Sequence, residues 1–216
     1  MRILTDIRKY NPNVLFLLEN VEMGKKWERV LSEAIGVYGV HINSALVSAQ
    51  NRRRIYWTNI RTRRNGLFGE LHSDIPQPVD KGVLLKDILE DEVDDKFYLS
   101  DKMVSCLASR KKTETFTPYK FEPFEFPFAV KCRTINQRVH KMGDNDNYVR
   151  ILRDGMIARI RRLTPTECAR LQTIPDWYKW ECSDTQQYRM LGNGWTVDVI
   201  VHILSFIKEK FNINVS

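Results

Sequence analysis

Residues 14–18 read Val-Leu-Phe-Leu-Leu, without a polar interruption, and stop at Glu19. Asn11-Pro12-Asn13 breaks the chain just before them. A short continuous apolar run of this kind reads as a strand buried in a parallel sheet. That reading commits the chain to an α/β layer. Ligands of open α/β sheets lie just beyond the carboxyl ends of the strands, so Glu19 stands where chemistry is done.

The flanking sequence supports the same layer. Residues 1–10 read as the end of a helix with Ile3, Leu4 and Ile7 on one face. Trp27, Val30, Leu31, Ala34 and Ile35 recur at helical spacing and predict an amphipathic helix over 25–35. Alternation through Tyr38, Val40, Ile42 and Leu46 predicts a strand, and a second covers 53–60. Gly66, Gly69, Pro76 and Pro78 mark 61–79 as a crossover loop. Residues 82–148 lose periodicity and mix aromatics with Pro118, Pro123 and Pro127, which predicts a smaller domain of strands and irregular loops. Thr164-Pro165-Thr166-Glu167 is a capping box with proline at the first helical position. The helix it opens should end near Thr173, before Pro175. Ser183 with Gln186 predicts another helix start, and that helix should stop at Leu191-Gly192. A last helix carries Val197, Ile200, Val201, Leu204 and Ile207 on one face.

Lys and Arg outnumber Asp and Glu by 34 to 27, a balance that suits a polyanion. The excess is clustered. Six arginines crowd 52–64, Lys131, Arg133, Arg138 and Lys141 form a second group, and Arg150, Arg153, Arg159, Arg161 and Arg162 a third. Acidic residues gather instead at 87–95, a region expected to face away from the polyanion. Cys106, Cys132, Cys168 and Cys182 show neither CxxC nor zinc spacing, so reduced intracellular thiols and no metal site are expected. No apolar run approaches the ~18–20 residues of a membrane span, and the N-terminal residues lack a signal-peptide pattern.

Four motifs carry a resemblance. Glu19-Asn20-Val21 is followed by Gln50-Asn51-Arg52-Arg53-Arg54, whose outer arginines share a face if the segment is one strand. Arg161-Arg162-Leu163-Thr164-Pro165 then continues through Glu167, Arg170, Leu171, Gln172 and Pro175-Asp176. Leu191-Gly192-Asn193-Gly194-Trp195 comes last. In this order they resemble the cytosine-5 DNA methyltransferases, over roughly residues 14–60 and 161–207. Gly194 and Trp195 depart from that family's Gly-Asn-Ser/Ala-Val element; the tryptophan is closer to the mammalian de novo form. Lys131 to Arg138 resembles the family's DNA-facing loop, with Thr134-Ile135 matching a Thr-Leu-like pair.

The resemblance implies an α/β fold: the C-terminal part of a Rossmann-like methyltransferase sheet, plus a small, mostly β or irregular target-recognition domain. It implies a partial catalytic domain over 1–75, target recognition over 76–180, and helices over 181–216 returning to the catalytic domain. The substrate would be double-stranded DNA, its cytosine extruded for methylation by S-adenosylmethionine. Glu19 would accept from the exocyclic amine and hold or share a proton with ring nitrogen 3. Arg54 would donate to the ring carbonyl, and Arg52 would steady the neighbouring loop or nucleophile. Preorganised donors of this kind contribute ~10²–10³ in rate each. Asn193, with Gly194, would form one wall of the cofactor site. Arg133, Thr134, Asn136, Gln137 and Arg138 would contact DNA, arginine suiting guanine and Asn or Gln adenine.

None of the four cysteines follows a proline, and all lie downstream of Glu19, whereas the family's nucleophile sits in an upstream Pro-Cys motif. The glycine-rich cofactor loop is also expected upstream. The reading is therefore a C-terminal fragment of a longer protein, or one subunit of a split enzyme, needing its N-terminal catalytic segment and inactive alone. A cytoplasmic, bacterial or phage-encoded enzyme of restriction–modification type is implied. The alternative is a non-catalytic DNA-binding or stimulatory partner of a methyltransferase.

Overall fold

In a computed structural model the described residues are 2–109, 121–125, 127–143, 145–153 and 157–208. The expected loop position Pro118 lies outside them. In order the chain forms α1 (Arg2–Tyr10), β1 (Leu17–Val21), α2 (Lys25–Ile35), β2 (Val40–Asn43), β3 (Gln50–Asn51) and β4 (Arg53–Thr58). There follow β5 (Thr62–Asn65), β6 (Glu70–Ser73), α3 (Asp101–Ser109), β7 (Cys132–Arg133), β8 (Tyr148–Arg153) and β9 (Ile157–Arg162). The chain closes with α4 (Pro165–Leu171), α5 (Asp184–Asn193) and α6 (Val197–Ser205). The described residues fall into two compact units: those within 2–43, 53–79 and 199–208, and those within 44–52 and 80–198.

The first unit is built on a sheet of order β1-β4-β2, antiparallel throughout. This corrects the sequence expectation for the apolar run. Among the described residues β1 pairs only with β4, in antiparallel register from Leu17 opposite Thr58 to Val21 opposite Arg54. The strand is also half-exposed, with Leu18 and Val21 open to solvent. Ile35, Val37, Ile55 and Trp57 form the core beneath it, with Leu4, Phe16, Met23 and Leu31 packed against them. Each large apolar side chain fully buried here contributes about 1.5–3 kcal/mol. Trp57 satisfies its indole by donating to Ser32 Oγ at 2.9 Å. The predicted crossover at 61–79 contains a hairpin, β5 against β6. Its strand Thr-Arg-Arg-Asn is polar at every position and so carries no alternation to read. Gly66 and Gly69, at φ 79° and 68°, supply the left-handed residues its turn requires.

α6 presents another difference. It buries Val199 and Ile203, while Val201 and Leu204 of the expected face are exposed. Six of its nine residues are large and apolar, so periodicity alone does not choose a face.

The second unit packs Leu85, Phe97, Ile135, Leu163, Leu171 and Leu191 into one core. β3 pairs in parallel with β7, and β8 with β9 antiparallel. The capping box of α4 forms as predicted: Thr164 accepts from Glu167 N, and Glu167 from Thr164 N. Ser183 caps α5 in the same way, and α5 continues to Asn193. Arg161 makes a bidentate bond to Glu167, both contacts 2.8 Å, with the two side chains 2% and 0% exposed. Arg161 of the third basic cluster is therefore internal, whereas Arg159 pairs with Asp95 at 2.8 Å and Arg150 with Glu125 at 3.4 Å at the surface.

Candidate active site and recognition loop

Side-chain hydrogen bonds set the entry to β1. Asn59 accepts from Phe16 N at 3.0 Å and donates to Val14 O at 2.9 Å, while Thr58 Oγ1 donates to Phe16 O at 2.7 Å. These satisfy the backbone of the apolar run where no ladder does. Glu19 lies opposite Tyr56, and Arg54 opposite Val21, so the two side chains are diagonal neighbours on one face. Arg54 Nε meets Glu19 Oε1 at 2.8 Å, with the side chains 13% and 17% exposed. Arg54 also donates to Arg53 O at 2.8 Å. A carboxylate and a guanidinium thus share one mostly enclosed position at the strand surface.

The expectation that residues 50–54 form one continuous strand does not hold. Arg52 falls between β3 and β4, is 3% exposed, and belongs to the second unit. Its Nη1 donates to Ile135 O at 2.9 Å, and its Nη2 to Gly192 O at 3.3 Å and Gly194 O at 2.8 Å. Gln172 reaches the same segment, donating to Leu191 O at 2.6 Å and Gly194 O at 3.3 Å. The carbonyls on both sides of Asn193 are thereby turned inward, and its side chain is exposed. That leaves the Asn193 amide available to a ligand, whereas the Gly194 carbonyl is occupied within the protein.

The 131–138 segment is pinned at its base and open at its tip. Lys131 Nζ donates to the carbonyls of Ala45 at 2.7 Å, Ser48 at 3.1 Å and Val83 at 2.5 Å. Arg133 exchanges backbone bonds with the Asn147 amide at 2.9 and 2.8 Å, and its guanidinium lies 5.0 Å from the Phe124 ring centre. Thr134 donates its hydroxyl to Asn51 O. Asn136 Oδ1 accepts from Arg138 N at 2.7 Å, an Asx-type turn. Gln137 and Arg138 are exposed. A polar cavity of about 390 Å³ opens beside Asn51, Lys131, Arg133, Thr134 and Asn136. Thr134 and Asn136 thus shape the loop, while Gln137 and Arg138 project from it.

The family described as C-5 cytosine-specific DNA methylase matches residues 1–209. This chain is a member of the C-5 cytosine-specific DNA methylase family. Type II methyltransferase M.NlaX of Neisseria lactamica is 31% identical over 213 residues, covering 91% of this chain and 63% of that protein. M.DsaV of Dactylococcopsis salina is 28% identical over 191 residues, 87% of this chain and 48% of its own length. The chain thus spans about half to two-thirds of the length of these relatives. Among solved structures, Dnmt2 methyltransferase of S. pombe superimposes with a TM-score of 0.66 at 19% identity, over 97% of this chain and 74% of that one. The Entamoeba histolytica methyltransferase EhMeth gives 0.67 at 14% identity, over 97% and 68%.

Two cysteines of this chain, Cys132 and Cys168, are buried at 0% and 1% exposure. Burial pushes the Cys132 thiol up to about 12 and the Cys168 thiol well above its ordinary value. Thiols held protonated in this way are poor nucleophiles. Sequence reasoning missed the polar hub of Gln50, Gln172 and Thr196, in which Gln172 Oε1 accepts from Gln50 at 3.1 Å and from Thr196 at 3.0 Å. A glutamine in a motif carries no mark of burial, so only its 0% exposure reveals the role. His41 was also unread. It bridges Glu28 at 2.9 Å and Glu22 at 3.3 Å.

Proposed function

We propose that this chain is the C-terminal part of a DNA (cytosine-5-)-methyltransferase that transfers a methyl group from S-adenosylmethionine to cytosine in double-stranded DNA. The observation that carries the reading is the 2.8 Å pair of Glu19 and Arg54 on one strand face. The edge of an extruded cytosine presents an amine, a ring nitrogen and a carbonyl. A carboxyl beside a guanidinium matches that sequence of groups, Glu19 taking the amine and ring nitrogen and Arg54 the carbonyl. Before the base arrives the two partner each other, so each is held in place by the other.

Arg52 steadies the 191–196 segment rather than the base. Asn193 fits one wall of a cofactor site, because its amide is exposed on a clamped turn; Gly194 contributes its backbone to the clamp. S-adenosylmethionine supplies the electrophilic methyl group. Arg133, Thr134, Asn136, Gln137 and Arg138 form the DNA-facing loop of a target-recognition region in the second unit. The nucleophile and the rest of the cofactor site come from an additional catalytic segment. Supporting this are the missing Pro-Cys motif, the buried thiols of Cys132 and Cys168, and the greater length of the relatives.

The test measures labelled methyl transfer to duplex DNA by the chain alone, and by the chain mixed with a polypeptide carrying the Pro-Cys and glycine-rich segments. Label is expected only in the mixture, and Glu19→Gln should abolish it. Incorporation by the chain alone would overturn the dependence on a further segment. Turnover undiminished by Glu19→Gln would overturn the base-holding role.

A further inference from the structure

Arg52 does more than fold a turn. Its guanidinium joins two segments far apart in sequence: Ile135, inside the DNA-facing loop, and the carbonyls flanking Asn193. A second route runs in parallel. Ile135 N donates to Gln50 Oε1 at 3.3 Å, Gln50 Nε2 donates to Gln172 Oε1 at 3.1 Å, and Gln172 Nε2 donates to Leu191 O at 2.6 Å. A third contact is steric. A Cβ on Gly192 would stand 2.1 Å from the carbonyl carbon of Asn136 and 2.3 Å from the amide nitrogen of Gln137, so the two backbones touch. Both faces of the Ile135 backbone and the next peptide are therefore tied to 191–194.

We propose that Arg52 is a positioning residue that couples the DNA-facing loop at 133–138 to the Asn193 turn, so that engaging DNA at one orders the other. This rests on the assignment of 133–138 to DNA made above. The guanidinium is a planar fork with fixed donor directions, and it serves both segments at once. A shift of Ile135 moves the fork and strains its bonds to Gly192 and Gly194. Ligand energy at the loop is thereby transmitted to the turn, and by linkage the turn acts back on the loop. Coupling is carried by contiguous bonds within one compact unit.

Hydrogen exchange read by mass spectrometry tests this on the full chain. The probe is a pool of duplex oligonucleotides with a randomised centre, at low salt. In wild type, DNA should slow exchange in 133–138 and also in 191–196, the latter about 5-fold or more. In Arg52→Lys, whose ammonium cannot span the three carbonyls, slowing should persist in 133–138 and vanish from 191–196. A purely structural Arg52 would speed exchange of both segments without DNA and leave the DNA-induced ratio at 191–196 as in wild type; that result overturns the proposal. So does wild-type slowing confined to 133–138, an arm that needs no variant to fold. Absence of any slowing in wild type counts first against DNA recognition by this loop, and removes the coupling with it.

Discussion

Gly192→Ala sets two opposite effects against each other. Gly192 lies in the last turn of α5, where alanine is intrinsically better by at most about 1 kcal/mol. The added methyl, however, would sit 2.1 Å from Asn136 C, 2.3 Å from Asn136 O and 2.3 Å from Gln137 N. Relief requires backbone to retreat by roughly 1 Å or more, since the atoms met are not flexible side-chain ends. That backbone is held by Arg52 through Ile135 O and by the Asn136 turn onto Arg138 N. Overpacking costs about 1–3 kcal/mol, and a weakened charge-assisted bond at Arg52 about 1.5–3 more. The net expectation is a loss of about 2–4 kcal/mol, seen as a fall in Tm of roughly 5–15 °C. Thermal unfolding followed by circular dichroism measures it. A variant as stable as wild type, or more stable, would mean that the helix preference wins and that the two segments are not locked together.

Two further outcomes concern stability. Glu167→Ala strands Arg161 in a site 2% exposed and should lose about 3–5 kcal/mol in urea unfolding. The double replacement Arg161→Met with Glu167→Leu should recover most of that, and a single-variant loss under about 1 kcal/mol would contradict the burial argument. The second outcome is the pH dependence set by His41. Burial lowers its pKa, but hydrogen bonds to Glu28 and Glu22 outweigh this and raise it above the ordinary 6.5. Its stabilisation is full below that ordinary value and disappears as pH rises through the raised folded-state value. Wild type should therefore exceed His41→Gln in Tm near about pH 6 and lose that advantage near about pH 9; a pH-independent difference would refute the clamp.

Local chemistry made much of this protein legible in one dimension. The helix Lys25–Ile35 and the capping boxes at Thr164 and Ser183 depend on neighbours three or four residues away, and so they are written in the chain. Motif order alone pointed to the family, and the family match over residues 1–209 bears that out. The fates of similar residues were not legible. Arg52 and Arg54 look equivalent in the sequence, yet one is buried against three carbonyls and the other pairs with Glu19. Arg161 reads as part of a basic cluster, yet it is locked onto Glu167. The pairing of β1 and the buried face of α6 belong with these, for each depends on a partner remote in sequence, while the local hairpin at 62–73 stayed hidden because its first strand is polar throughout. A side chain's type is a local property, but whether it meets solvent, a carboxylate or a distant carbonyl is decided only when separated segments pack.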